Sequence, residues 1–104
     1  MTYKQYEIVL VNLDPTVGSE IKKTRPCLIL SPDEMNRHIR TLIIAPMTST
    51  PRNYPTRVQV DEDSFIALDQ IRTIDRQRVV RVLDRLGKKK VGEVKRVIGE
   101  MLVE

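Results

Sequence analysis

Pro26-Cys27-Leu28-Ile29-Leu30 is the stretch on which the fold turns. It is a continuous apolar run, bounded by Arg25-Pro26 on one side and Ser31-Pro32 on the other, and reads as a buried strand. Upstream, Glu7-Ile8-Val9-Leu10-Val11-Asn12-Leu13 reads as a strand ended by Asp14-Pro15. Downstream, Leu42-Ile43-Ile44-Ala45 is a third strand, stopped by Pro46. Arg57-Val58-Gln59-Val60 alternates as a half-buried strand does, and Phe65-Ile66-Ala67-Leu68 starts a fifth. Val79-Val80-Arg81-Val82-Leu83 is either a sixth strand or the start of a helix, and its β-branched residues favour the strand.

The period then changes. Val91, Val94, Val97, Ile98, Met101 and Leu102 recur at helical spacing, with Glu93, Lys95, Arg96 and Glu100 on the other side. Many short strands followed by one amphipathic helix predict a mainly β fold: a small barrel, closed or half-open, with a C-terminal helix packed on it.

The bulk numbers agree with one domain over residues 1–104. Hydrophobic residues make up 40% of the chain and charged residues 31%, enough apolar surface for a core and too much for intrinsic disorder. The longest uncharged run, from Thr41 to Pro51, is far short of the roughly 20 apolar residues a spanning helix needs. The start, Met-Thr-Tyr-Lys-Gln-Tyr-Glu, has no apolar signal core, so a cytoplasmic protein is expected. One cysteine excludes an internal disulfide framework, and one cysteine with one histidine argues against a zinc site. The net charge of +4 permits an anionic partner, and each half of the chain carries +2 (7 basic against 5 acidic, then 11 against 9). Aromatics are scarce, with three Tyr, one Phe and no Trp. A core this poor in large side chains gains from a second copy, so a homodimer is expected.

Three polar segments stand out. The first is Asp14-Pro15-Thr16-Val17-Gly18-Ser19-Glu20-Ile21-Lys22-Lys23-Thr24-Arg25-Pro26. It joins two strands that a two-residue turn would join equally well, so its length needs a reason. Glu20 beside Lys22, Lys23 and Arg25 has the makings of a general base next to a phosphate clamp, or of an ordinary solvated loop. The second, Pro46-Met47-Thr48-Ser49-Thr50-Pro51-Arg52-Asn53-Tyr54-Pro55, offers hydroxyls to phosphate oxygens, or simply the residues that turns favour. The third is Asp69-Gln70-Ile71-Arg72-Thr73-Ile74-Asp75-Arg76-Gln77-Arg78, in which Asp75 suits the cap of a short turn. Asp61-Glu62-Asp63 reads as a solvated turn rather than a cation site, and Lys88-Lys89-Lys90 as the lead-in to the helix or a phosphate contact. His38, in a polar connection, reads as incidental, and Cys27 as an inert packing residue.

Four blocks in order and register resemble one family. Leu13-Asp14-Pro15-Thr16-Val17-Gly18-Ser19-Glu20, Thr24-Arg25-Pro26-Cys27-Leu28-Ile29-Leu30-Ser31, Pro46-Met47-Thr48-Ser49 and Asp69-Gln70-Ile71-Arg72-Thr73-Ile74-Asp75 are similar to the signature of MazF/PemK/Kid-type toxins. The resemblance implies an SH3-like (CcdB/PemK-type) barrel. It also implies the toxin of a type II toxin–antitoxin module: a sequence-specific, homodimeric, metal- and cofactor-free endoribonuclease acting on single-stranded mRNA. The partners it implies are the RNA, a second copy and a cognate antitoxin, with operator DNA met only through the antitoxin complex and no membrane. By position it places the central catalytic pair at Arg25 and Thr48, a base at Glu20 and a further functional aspartate at Asp69. Contacts to RNA are then expected from Ser19, Lys22, Lys23, Ser49, Arg52, Asp69, Gln70 and Arg72. Two departures stand out: some relatives carry an arginine where this chain has Ala67, and a histidine where it has Ser19. Two rivals remain open, a CcdB-like gyrase inhibitor without enzymatic activity and a nucleic-acid-binding barrel without catalysis. The chain lacks the Trp-Gly-Ile ending of the first and finishes Leu102-Val103-Glu104.

Overall fold

Alternation along the first strand sorts the core into two layers. Ile8 joins a cluster with Leu28, Ala45, Met47, Val58, Ile66 and Val94, while Val9 and Val11 join Leu13, Cys27, Ile29, Leu42, Ile44 and Ile74. The computed structural model describes residues 2–104. In chain order it contains β1 (Glu7–Asn12), β2 (Thr24–Ile29), α1 (Asp33–His38), β3 (Thr41–Thr48), β4 (Arg57–Asp61) and β5 (Ser64–Ala67). There follow a 3-10 turn (Leu68–Gln70), β6 (Arg72–Asp75), a second 3-10 turn (Arg76–Arg78), β7 (Val79–Arg85) and α2 (Lys88–Ile98), whose last turn widens to π geometry over Gly99–Val103.

The strands form one antiparallel sheet in the order β4-β5-β3-β2-β1-β7, with β6 pairing to β3 as well. β4 and β7 remain edges, so the sheet is the half-open form of the expected barrel. α2 lays Val94 and Val97 on the first cluster, as its helical stripe predicts. No helix among the described residues is long and apolar enough to cross a membrane.

Pro46 does not stop the third strand, which runs on to Thr48. Leu30 N donates to Ile43 O (2.8 Å), so the odd-numbered peptide groups of β3 face β2 and those of Pro46 face the other way. On that side β3 changes partner, from β6 at residues 41–44 to β5 at residues 47–48. The missing N–H of Pro46 therefore falls in a gap where no ladder bond is needed.

Two elements lay outside the sequence reading. β6 occupies part of the third polar segment, and its single buried side chain, Ile74, is too little for a visible alternation. α1 replaces the polar connection around His38. Its six residues bury Asn36, whose Nδ2 donates to Ser31 O (3.0 Å) while Ser31 Oγ donates to Asn36 Oδ1 (2.6 Å). A turn anchored by buried polar atoms leaves no apolar stripe in the sequence. Val79–Arg85 is a strand, and Asp75 caps the second 3-10 turn by accepting from Gln77 N (2.8 Å).

Candidate functional site

β1 and β2 pair as the sequence reading expects, and the long connection between them, residues 13–23, is held down at several points. Gly18 sits at φ +60°, a conformation in which a Cβ would be strained. Glu20 N donates to Val17 O (3.2 Å), and Glu20 Oε1 accepts from Val17 N (2.5 Å), which closes a tight turn around the carboxylate. Gln70 reaches across from the first 3-10 turn: its Oε1 accepts from Ile21 N (2.7 Å) and its Nε2 donates to Ser19 O (3.4 Å). Arg72 Nη1 donates to Leu13 O (3.2 Å). Gln70 and Arg72, expected as RNA contacts, thus brace the backbone of the loop that carries Glu20.

At the end of that loop the chain enters β2. Even-numbered peptide groups of β2 face β3, so Pro26 presents a missing donor to β3, and the ladder opens past Cys27↔Pro46. Arg25 and Thr48 lie beyond that last pair, two residues past it on β2 and on β3. Arg25 Nε donates to Lys22 O (2.9 Å), which orients the guanidinium. Its Nη1 and Nη2 have no hydrogen-bond partner among the described residues. Thr48 is buried and its Oγ1 accepts from Thr50 N (3.2 Å), which leaves the hydroxyl proton free to donate elsewhere.

Arg25 and Thr48 line the same solvent-open cleft of about 440 Å³, together with Ser19, Glu20, Lys22 and Arg52. Ser19, Glu20, Ile21, Asp69 and Gln70 are common to it and to an adjoining hollow of about 350 Å³, which Arg72 also lines. Lys23 and Ser49, both exposed, line neither. Lys23 instead holds the loop end at φ +72°, with its N donating to Asp14 Oδ1 (3.1 Å).

Four residues of the cleft had no individual assignment from the sequence: Ile21, Thr50 and Tyr54, which lie inside the polar segments singled out there, and Arg57, which lies outside them. Arg57 read only as the polar member of an alternating strand. The β4–β5 hairpin sets it opposite Ala67. Its side chain is 7% exposed and grips Asp69, with Nε to Oδ1 at 2.7 Å and Nη2 to Oδ2 at 3.1 Å. Thr56 Oγ1 also donates to Asp69 Oδ1 (3.1 Å). Burial pushes the Asp69 carboxyl up, but the hydrogen bonds and charge of Arg57, with the hydroxyl of Thr56, more than offset it and leave it below its ordinary value. The hairpin spacing in the sequence was the signal that locates Arg57.

With Arg57 matched by Asp69, the cleft keeps Lys22, Arg25 and Arg52 against Glu20, a positive surplus open to solvent. Beneath it, burial pushes the Cys27 thiol up to about 12 against the opposing charges of Arg72 and Arg25. Among the described residues no group of three or more His, Cys, Asp or Glu side chains is arranged to hold a metal ion.

A half-open antiparallel sheet with a cationic cleft over one end defines a class, small β proteins fitted to an anionic ligand. The particular family follows from comparison: the model for the "PemK-like, MazF-like toxin of type II toxin-antitoxin system" matches residues 4–102, and the chain belongs to that family. It is 36% identical over 101 residues to a Staphylococcus saprophyticus protein named Endoribonuclease MazF, covering 88% of this chain and 84% of the relative. The crystal structure of MazF from Deinococcus radiodurans superposes with a TM-score of 0.89 at 26% identity, over 100% of this chain and 99% of that one. The MazE–MazF crystal structure from the same organism contains a chain that matches with a TM-score of 0.83 at 26% identity, covering 99% and 97%.

Proposed function

We propose that residues 1–104 act as one domain, a metal-independent endoribonuclease that cuts single-stranded mRNA at specific sequences and serves as the toxin of a type II toxin–antitoxin module. The observation that carries the reading is the convergence of Arg25, Thr48 and Glu20 on one cationic cleft. The family match and the name of the Staphylococcus relative support the activity.

RNA brings its own nucleophile, the 2′-OH, so the chain need supply only a base, charge stabilisation and a hydrogen-bond donor. Glu20 takes the proton of the 2′-OH as oxygen attacks the adjacent phosphorus. The free nitrogens of Arg25 form a fork on the phosphoryl oxygens as their charge grows. A guanidinium is a poor proton donor, so water protonates the 5′ leaving oxygen. The unengaged hydroxyl proton of Thr48 donates to a non-bridging oxygen. Lys22 and Arg52 at the cleft, with Lys23 and Ser49 beside it, meet the backbone. Ser19, Asp69, Gln70 and Arg72 shape the walls where bases lie.

The chain acts as a homodimer. The support is β7, an edge strand with Val80, Val82 and Leu83 exposed, a face that a second copy covers. A cognate antitoxin is the second partner, supported by the MazE–MazF crystal structure, and operator DNA is met only through that complex. The cytoplasm, where mRNA is found, is the site of action.

Incubation of the purified chain with long single-stranded RNA in EDTA, followed by mapping of the ends, tests the proposal. Site-specific cuts that carry a 5′-OH support it, and activity that needs added Mg²⁺ removes the metal-free chemistry. Intact RNA with inhibited gyrase points to the CcdB-like rival, and intact but bound RNA to a barrel without catalysis.

A further inference from the structure

Tyr54 stands in the cleft wall, 50% exposed, in a chain with only four aromatic residues. It lies in the polar connection before β4, where an apolar ring gains nothing from the core. The guanidinium of Arg57 packs over one face of the ring, with Cζ 5.2 Å from its centroid. Arg57 is in turn nearly buried and held at two points by Asp69. The three residues form a column from the first 3-10 turn through the strand to the ring, so a side chain on an irregular connection is fixed by a rigid element. Tyr54 is half exposed as a residue and lines the cleft with Arg25, Thr48 and Arg52.

We propose that Tyr54 is a stacking platform for one base of the bound strand, and that Arg57, clamped by Asp69, is the positioning residue that holds it. An aromatic face beside cations that track a backbone is the arrangement that binds single-stranded nucleic acid through its bases. Stacking accepts any base, so the platform supplies affinity and alignment of the scissile phosphate rather than the cut sequence. The assignment rests on the nuclease reading above and adds to it a contact made by a side chain outside the Arg25, Thr48 and Glu20 set.

The test begins with the wild-type cut site, mapped on a mixed-sequence single-stranded RNA. An oligonucleotide that spans this site, with a 2′-deoxy group at the scissile nucleotide, is then titrated into the protein. The chain has three tyrosines and no tryptophan, so its intrinsic emission reports on them directly. Stacking on Tyr54 quenches that emission on binding, and Tyr54→Phe removes the quenched component. Tyr54→Ala weakens binding by roughly ten-fold or more and raises KM, whereas Tyr54→Phe, which keeps the ring, rescues both. Arg57→Gln leaves the ring in place but unsupported, and gives an intermediate loss of affinity with reduced quenching. Wild-type cutting together with undiminished binding by Tyr54→Ala, or unaltered tyrosine emission at saturation, overturns this assignment alone. A wild-type chain that neither cuts nor binds the RNA overturns the nuclease reading and the platform together.

Discussion

The Arg57 guanidinium clasps the Asp69 carboxylate through two nitrogens, Nε at 2.7 Å and Nη2 at 3.1 Å, and so ties β4 to the turn that follows β5. The arginine is almost wholly enclosed, so removal of the carboxylate strands a cation. Asp69→Asn is expected to cost about 2 kcal/mol, measured by urea unfolding at neutral pH. Because the Asp69 carboxyl titrates below its ordinary value in the folded chain, the unfolded state binds the proton first as pH falls. Its contribution is complete above the unfolded value of about 3.9 and disappears as pH drops through the lower folded value. The stability gap between wild type and Asp69→Asn therefore narrows in acid, and a gap that stays constant down to about pH 3 contradicts the pairing.

Arg25 and Thr48 line one cleft beyond the end of the β2–β3 ladder. Arg25→Ala is expected to abolish cleavage with the fold intact, and Arg25→Lys to remain poor because an ammonium lacks the planar fork. Thr48→Val, which keeps the shape but removes the donor, should lower kcat by about 10²–10³. Circular dichroism and single-turnover cleavage together separate a lost donor from a lost fold. Cleavage by Arg25→Ala at the wild-type rate removes the assignment.

Glu20 has two candidate roles, since one of its oxygens already accepts from Val17 N. Glu20→Gln preserves an acceptor for that amide but no longer takes a proton. A base is lost in this variant, and its rate should fall by about 10²-fold or more. If Glu20 only closes the turn, Glu20→Gln keeps most of its activity and Glu20→Ala loses it.

Gln70 bonds the loop backbone on both sides of Glu20, at Ser19 O and Ile21 N. Gln70→Ala releases both anchors and leaves the loop tied mainly at its ends. Trypsin cleavage after Lys22 and Lys23 should accelerate several-fold, and amide exchange at Ile21 should rise with it. Equal proteolysis of both proteins would show that the loop holds itself.

Cys27 is buried under the site with its thiol raised to about 12. Burial holds the thiol neutral and out of reach, so a disulfide reagent should react at a negligible rate until denaturant is added. The direction also means that folding favours the neutral thiol, a contribution that is lost as pH rises from the thiol's ordinary value of 9.0 towards the raised one. Rapid native labelling contradicts this burial.

Much of this architecture is written locally. The apolar run Cys27-Leu28-Ile29, the alternation of β1, the stripe of α2 and the excess length of the first loop are visible because burial selects side chains at fixed spacing and loops select turn residues. The resemblance to the toxin family rested on four such local blocks. β6 and α1 were not legible, because one buried Ile74 and one buried Asn36 make no periodic signal.

What the chain determined by itself was therefore six of the seven strands, the closing helix and the polar segments that bear Glu20, Arg25 and Thr48. Only the tertiary structure decided that Arg57 spends its charge on Asp69, that Gln70 and Arg72 serve the loop, and that Tyr54 stands over a guanidinium. Those relations depend on strand register and on contacts up to 59 residues apart in sequence. Register is set by the burial of the whole sheet at once, and no short window of sequence contains it.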